Sequence, residues 1–169
     1  MAATSSSTPS QQNEPNFEEL LDFFGEGGAI RDLTSFDEET IETAYAVAYQ
    51  YYESGKYQEA SKIFHLLCYL DHYQAKFFIG LGACRQMLKE YQLAIDAFSY
   101  VTVIDVTDPR APFYAAECHL ALGNIKEAES GFEAAVQWAS NKEEYQQLKT
   151  EATNKLQLLM NAKSRKNNL

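Results

Sequence analysis

The stretch "KYQEASKIF" (Lys56–Phe64) places an alanine four residues before a phenylalanine, and the same pair returns twice more. "EYQLAIDAF" (Glu90–Phe98) and "NIKEAESGF" (Asn124–Phe132) repeat it at a constant interval along the chain. The members of the pair are Ala60, Ala94 and Ala128, and Phe64, Phe98 and Phe132. A fixed interval of this kind indicates that the chain builds one structural unit three times.

A period of about 34 residues is typical of the tetratricopeptide repeat, a pair of antiparallel helices that stacks on its neighbours. A small residue also recurs in each first helix, at Ala48, Gly82 and Ala116. The sequence therefore predicts an all-α fold, an α-solenoid of three repeats at 41–74, 75–108 and 109–142. The second helices are expected over 58–69, 92–104 and 126–139. Gly55 and Gly123 are expected to end first helices in the left-handed conformation, and copy two has Lys89 there.

Local signals also mark where helices begin. Ser35 and Glu38 have the spacing of a capping box, and Asp108 followed by Pro109 supplies an acceptor and then the residue favoured in a first turn.

Segments flank the repeats on both sides. Residues 1–15 are predicted to be a disordered tail and 16–40 an N-terminal helical segment. "NFEELLDFF" (Asn16–Phe24) is too short to be a stable helix alone, so its apolar stripe is expected to form a dimer contact or to dock on the chain itself. The stripe consists of Phe17, Leu20, Leu21 and Phe24.

At the other end, 143–160 is predicted to be a helix that caps the solenoid. Its apolar residues recur at helical spacing: Tyr145, Leu148, Ala152, Leu156 and Leu159. Residues 161–169 are predicted to be a disordered tail.

Composition restricts the possible partners. The net charge of −10 argues against nucleic acid or an anionic membrane, both of which require a basic face. No apolar run approaches the roughly 18 residues of a membrane span, so no membrane insertion is expected. The first residues have neither the basic start nor the apolar stretch of a signal peptide, which predicts a cytosolic protein.

The residues that could carry chemistry are few. Three cysteines (Cys68, Cys84, Cys118) and three histidines (His65, His72, His119) do not form the ligand pairs of a zinc site, and no phosphate-binding loop or nucleophile motif is present. Cys84 and Cys118 are separated by the repeat interval and are interpreted as equivalent packing positions. We expect no enzyme activity, no metal and no cofactor.

Stacking of the repeats uses one face of each first helix and leaves another face without a packing partner in the stack. Tyr45, Tyr49 and Tyr52 share a face that is rotated by about 100° from the packing stripe and is expected to line the concave side. The equivalent positions are Ile79, Ala83 and Gln86 in copy two, and Phe113, Glu117 and Leu120 in copy three. Tyrosine suits a peptide groove because it combines apolar area with a hydroxyl that tolerates water. Packing of these rings under the N-terminal segment or against neighbouring turns is the alternative.

Two longer stretches are more specific than the repeat positions. "LDHY…FFIGLGACRQ", between Leu70 and Gln86, and "PRAPFYAAECHL" (Pro109–Leu120) resemble the class II chaperones of bacterial type III secretion systems. The resemblance runs from about residue 20 to about residue 159. It implies a cytoplasmic protein of a Gram-negative-type bacterium that keeps hydrophobic translocator proteins soluble.

The resemblance also implies where the client binds. An extended N-terminal segment of the translocator would lie in the concave groove and contact Tyr45, Tyr49 and Tyr52, and a homodimer formed through the N-terminal region is expected. Geometry extends the predicted site along the groove. The whole set is Tyr45, Tyr49, Tyr52, Leu66, Leu70, Lys76, Ile79, Ala83 and Gln86.

A generic tetratricopeptide-repeat adaptor for another peptide is the alternative function. An adaptor that grips an acidic peptide tail would need Lys, Arg and Asn along the concave stripe. The stripe in this sequence is aromatic, and only Lys76 is basic nearby.

Overall fold

Helices form nearly all of the structure that is described. The computed structural model describes residues 22–23, 26–34 and 36–167. The helices are α1 (Glu38–Glu53), α2 (Tyr57–Leu70), α3 (Ala75–Met87), α4 (Tyr91–Ile104), α5 (Arg110–Ala121), α6 (Ile125–Trp138) and α7 (Gln146–Asn167), with 3-10 turns at Ile30–Leu33 and Glu143–Tyr145. Within those residues there is no strand. The all-α prediction is confirmed, and the three predicted second helices agree with α2, α4 and α6 to within one residue at each end.

Helices pack in chain order, each on the next, from α1 to α7. The alanine of each repeated pair is fully buried, and so are the three phenylalanines. Small residues let the backbones come close. A Cβ added at Gly82 would lie 2.4 Å from the ring of Phe98, and one added at Gly80 would lie 2.3 Å from the ring of Phe64. In the second repeat, the repeated small residue Gly82 and the repeated ring of Phe98 therefore pack directly against each other.

Helix starts were predicted with mixed success. The capping box at Ser35 is wrong as the start of α1, which begins at Glu38 with Asp37 as its N-cap. The Asp37 carboxylate accepts a hydrogen bond of 2.8 Å from the Thr40 amide, and hydrogen bonds from the Thr40 hydroxyl and amide lower the pKa of Asp37. Ser35 itself lies outside the described residues. At α5 the prediction holds, because Asp108 accepts from the Arg110 amide at 2.9 Å next to Pro109.

The C-terminal helix confirms the capping prediction and extends it. Ala152 is buried against α5 and α6, and Leu148, Leu156 and Leu159 pack around it. The prediction of a disordered tail from residue 161 is wrong as far as Asn167, where α7 ends. Lys163 forms an ion pair of 3.0 Å with Glu129 of α6, and basic residues in a last turn favour the helix dipole. The predicted N-terminal tail and the stripe of Phe17, Leu20, Leu21 and Phe24 lie outside the described residues.

The three turns inside the repeats share one backbone conformation. Gly55 has φ 77° and Gly123 has φ 80°, as predicted, and Lys89 has φ 63° at the same repeat position. Lys89 is the one non-glycine with positive φ among the described residues. The turn thus imposes the left-handed conformation whether or not the sequence offers a glycine.

We expect Lys89→Gly to stabilise the protein by about 0.5–1 kcal/mol. The change removes a left-handed backbone strain of about 1–2 kcal/mol from the folded state. Part of this gain is lost because glycine increases the conformational entropy of the unfolded chain. Urea unfolding followed by circular dichroism measures the difference. Gly55→Ala is the matched control, because its Cβ would have no neighbour within 4 Å, so that φ strain alone should destabilise it. A destabilised Lys89→Gly protein would show that the lysine side chain stabilises the turn.

Candidate functional site

A cavity opens on the side of the solenoid formed by the first helices. α1 contacts α3, and α3 contacts α5, in addition to the contacts between consecutive helices. Because these first helices contact one another and the second helices α2, α4 and α6 do not, the surface shared by the first helices is the concave one. The cavity has a volume of about 260 Å³. Its lining is Tyr45, Tyr49, Tyr52, Phe64, Lys76, Ile79, Gly80, Ala83, Gln86, Arg110 and Tyr114.

Seven of the nine predicted groove residues line this cavity. They are Tyr45, Tyr49, Tyr52, Lys76, Ile79, Ala83 and Gln86. The tyrosine face of α1 and the equivalent face of α3 therefore come together as the repeat spacing predicts.

Leu66 and Leu70 do not belong to the groove, and their prediction is corrected. Leu70 is 6% exposed and packs in the core of the first repeat, and Leu66 is 53% exposed. Both lie on α2, a second helix, and neither borders the concave cavity. Leu70 is apolar because it packs in the core, and Leu66 lies on the outer surface of the solenoid.

The three tyrosines have different surroundings. Tyr45 is half-buried, with its ring 5.9 Å from that of Phe64 in a T-shaped contact and 5.8 Å from that of Phe77. The Lys76 ammonium lies 4.9 Å from the ring of Tyr45. Tyr45 thus forms part of the groove wall and part of the core, so the packing alternative holds for part of this ring.

Tyr49 is more exposed than Tyr45, and Tyr52 is half-buried as Tyr45 is. Tyr49 is 51% exposed, and the negative charge of Glu53 and a hydrogen bond to it raise the pKa of the Tyr49 phenol. Tyr52 is half-buried against Tyr57, with ring centroids 5.4 Å apart, and burial raises the pKa of Tyr52. Both hydroxyls stay protonated. The hydroxyl of Tyr52 can donate to a backbone carbonyl of a bound peptide, whereas that of Tyr49 already donates to Glu53.

Four lining residues were missed, and the repeat alignment could have found one of them. Arg110 occupies the repeat position of Lys76, one period further along the chain, whereas Tyr114 occupies the position of Gly80, which was not predicted either. Tyr114 lies with its ring 5.5 Å from that of Phe98, and burial raises its pKa. Phe64 could not be found from the face of α1 because it reaches the cavity floor from α2, past Gly80.

The capping helix closes the groove beyond Tyr114. Phe113 is buried against α7, and Glu117 forms an ion pair of 2.8 Å with Lys155 and accepts a hydrogen bond of 3.2 Å from Gln86. The copy-three positions that match the tyrosine face of α1 are therefore engaged by the chain's own last helix. A second cavity of about 360 Å³, which shares Arg110 and Tyr114 with the first, continues between α5 and α7.

Cations in the groove are already paired. Lys76 forms an ion pair with Glu42, and Arg110 forms one of 2.6 Å with the buried carboxylate of Asp108. The side chains left to recognise a ligand are aromatic and aliphatic, with phenol and amide groups among them. This arrangement favours an extended peptide with apolar side chains, and an anionic peptide would gain little.

The thiols and imidazoles do not assemble into a catalytic or metal site within the described part of the chain. Cys68, Cys84 and Cys118 are free and buried, and burial raises the pKa of each to about 12. A thiol with that pKa is protonated and a poor nucleophile. The described residues contain no group of three or more His, Cys, Asp or Glu placed to hold a metal ion. None of the described helices is both long and apolar enough to cross a bilayer.

We expect Tyr45→Ala to destabilise the protein by about 2 kcal/mol, below the roughly 3–5 kcal/mol of a fully buried aromatic ring. Tyr49→Ala should change the free energy of unfolding by less than about 0.5 kcal/mol, because its ring lies on the surface. Chemical denaturation of the two variants measures both values. Equal losses would contradict the division between a wall residue and a surface residue.

Comparison with known proteins gives a consistent result. The tetratricopeptide repeat model matches residues 41–74, and a second tetratricopeptide repeat model matches residues 87–152. The chain is 44% identical over 137 residues to the low calcium response locus protein H of Yersinia pestis, a match that covers 81% of this chain and 82% of the relative.

Solved structures that are similar to this chain come from the same kind of secretion system. A type III secretion complex from Aeromonas hydrophila has a chain with TM-score 0.84 and 43% identity, covering 87% of this chain and 98% of that one. The translocator chaperone SycD of Yersinia enterocolitica, in complex with a peptide of the translocator YopD, has TM-score 0.74 and 45% identity over 77% of this chain and 99% of its own. Another SycD structure, described as an alternative dimer, has TM-score 0.74 and 43% identity over 77% of this chain and 98% of its own.

Proposed function

The chain belongs to the tetratricopeptide-repeat chaperones of type III secretion translocators, and from that premise we propose that it binds an extended N-terminal segment of a hydrophobic translocator in its concave groove. The proposal places the protein in the bacterial cytoplasm, where it keeps its client soluble until secretion. The observation that carries it is the cavity in which Tyr49, Tyr52, Ile79 and Ala83 come together. SycD, a relative of this chain, is solved with a translocator peptide.

The groove suits such a client energetically. Each apolar side chain that a peptide buries fully contributes about 1.5–3 kcal/mol, and ordering the peptide offsets much of the sum. Two or three anchors then leave about −8 kcal/mol, which corresponds to micromolar affinity. Binding of this strength protects the client and still allows its release to the secretion apparatus.

The charge of the protein supports the same role. A net charge of −10 keeps a complex with an apolar client soluble and opposes self-association. The role is one of binding, without catalysis or cofactor. Its support is the raised pKa of the three thiols and the aromatic lining of the groove.

We expect Tyr49→Ala to weaken client binding about tenfold, which is the effect of losing part of one aromatic contact. Ala83→Asp should weaken it further, because it places a charge in the apolar part of the cavity. Isothermal titration with the peptide of the translocator YopD that is solved in complex with the relative SycD measures both.

Tyr69→Ala is the control for that experiment, since Tyr69 is a 67% exposed tyrosine on the second helix α2. Its affinity should equal that of the unchanged chain. If Tyr69→Ala weakened binding and Tyr49→Ala did not, the client would lie on the outer surface and the proposal would fail.

We also propose that the chain forms a homodimer to which the stripe of Phe17, Leu20, Leu21 and Phe24 contributes. Its support is the apolar spacing of this segment and the dimer of SycD. Leu20→Asp with Leu21→Asp should then shift sedimentation toward the monomer, because two carboxylates would have to be buried in the contact. An unchanged dimer would assign the contact to another surface.

A further inference from the structure

A third cavity, of about 370 Å³, opens on the outer surface between α2, α3 and α4. It is separate from the peptide groove and shares none of its lining residues. Its lining is His65, Cys68, Tyr69, His72, Phe78, Leu81, Arg85, Asp96, Ala97 and Tyr100. The proposed function makes no use of it.

Aromatic rings border this outer cavity and remain open to solvent. Phe78 and Tyr100 are stacked with centroids 4.3 Å apart, and Tyr69 and Tyr100 are 67% and 39% exposed. Such rings on the surface of a water-soluble solenoid favour a partner that covers them. In a chain of net charge −10, this cavity carries one guanidinium, that of Arg85, and the imidazoles of His65 and His72, against the single carboxylate of Asp96.

The described N-terminal residues run to the rim of this cavity. Arg31 forms an ion pair of 2.9 Å with Asp71, which directly follows α2, and Ile30 packs on the core of the first repeat. Gly27 lies next to Tyr73, where an added Cβ would be 3.8 Å from the phenol oxygen. Tyr73 in turn contacts the ring of His72, a lining residue, with centroids 4.0 Å apart. Gly27 thus lies next to the chain neighbour of a lining residue, which tethers residues 14–21, outside the described part, within reach of the cavity.

The chemistry of that segment complements the cavity. Phe17, Leu20, Leu21 and Phe24 supply apolar side chains, and Glu14, Glu18, Glu19 and Asp22 supply negative charge. No Lys or Arg precedes Arg31 in the sequence. The segment thus offers apolar groups to exposed rings and carboxylates to Arg85 and the two imidazoles.

The tether to the cavity is short. The cavity wall extends along α2 from His65 to Tyr69 and ends at His72, in the turn after α2. A helix over residues 16–24 would be about 13 Å long, and only three residues separate Phe24 from Gly28, where the chain passes the ring of Phe23. A segment tethered this closely has a high effective concentration at the cavity.

We propose that, in the monomer, the N-terminal segment 14–24 docks in the outer cavity of its own chain. The docked segment covers Tyr69 and Tyr100 and places its carboxylates near Arg85. The same apolar stripe is offered to the dimer contact, so docking on the own chain and dimerisation compete for it. The concave groove takes no part in this exchange, so the inference stands or falls independently of client binding.

Hydroxyl-radical footprinting with mass spectrometry tests the proposal. It is performed on the full chain without client, at a concentration at which sedimentation shows the monomer. We expect the modification rates of Tyr69 and Tyr100 to rise at least threefold in Leu20→Asp with Leu21→Asp. The rate of Tyr49, which is 51% exposed in the concave groove, should stay the same in both proteins.

Each other outcome overturns the proposal. Unchanged rates at Tyr69 and Tyr100 would show that the cavity is open in the full chain. A rise at Tyr49 would place the segment in the concave groove, and protection that appears only at dimer concentrations would assign the cavity to the segment of a second copy. Glu18→Gln with Glu19→Gln keeps the apolar stripe and the fold. It should give an intermediate increase in the modification rates of Tyr69 and Tyr100. No increase would contradict the contribution of the segment's carboxylates to docking.

Discussion

The contact of the phenylalanine rings with α3 is the constraint on which the remaining structure depends. Gly80 and Gly82 lack the Cβ atoms that would lie within 2.5 Å of the rings of Phe64 and Phe98. Because both rings are buried and surrounded by packed helices, they cannot yield to a larger side chain at those positions. The close approach fixes α3 between α2 and α4, and α3 carries the middle of the concave wall. Gly80 also borders the groove, so the same missing side chain that allows helix contact leaves room for a ligand.

The repeat period predicts which residues share a face, and this part of the site followed from the sequence. Tyr45, Ile79 and Gln86 meet in one cavity because their helices are equivalent members of a regular stack. The period does not say which faces are covered by elements outside the repeats. Phe113 has the repeat position of Tyr45, yet α7 covers it, because the last repeat has no successor and the capping helix takes that place.

Other errors have equally local causes. The geometric extension of the groove to Leu66 is wrong because the concave surface belongs to the first helices, and α2 is a second helix. The capping box at Ser35 failed because Asp37, two residues later, has its own carboxylate in reach of the Thr40 amide, and the helix begins with Asp37 as its N-cap. At Lys89 the packing overrides the local sequence preference. The stacked helices impose a left-handed turn there that a lysine does not favour.

Groove and core are continuous at Tyr45, and this continuity sets how the site can work. The ring of Tyr45 is held by Phe64 and Phe77, so one wall of the groove is ordered before any peptide arrives. Tyr49, on the next turn, is exposed and adaptable. A preformed wall lowers the cost of binding on the side of the chaperone, and the cost that remains is the ordering of an extended client. That cost falls on the client, so moderate affinity follows from the division of order between the two chains.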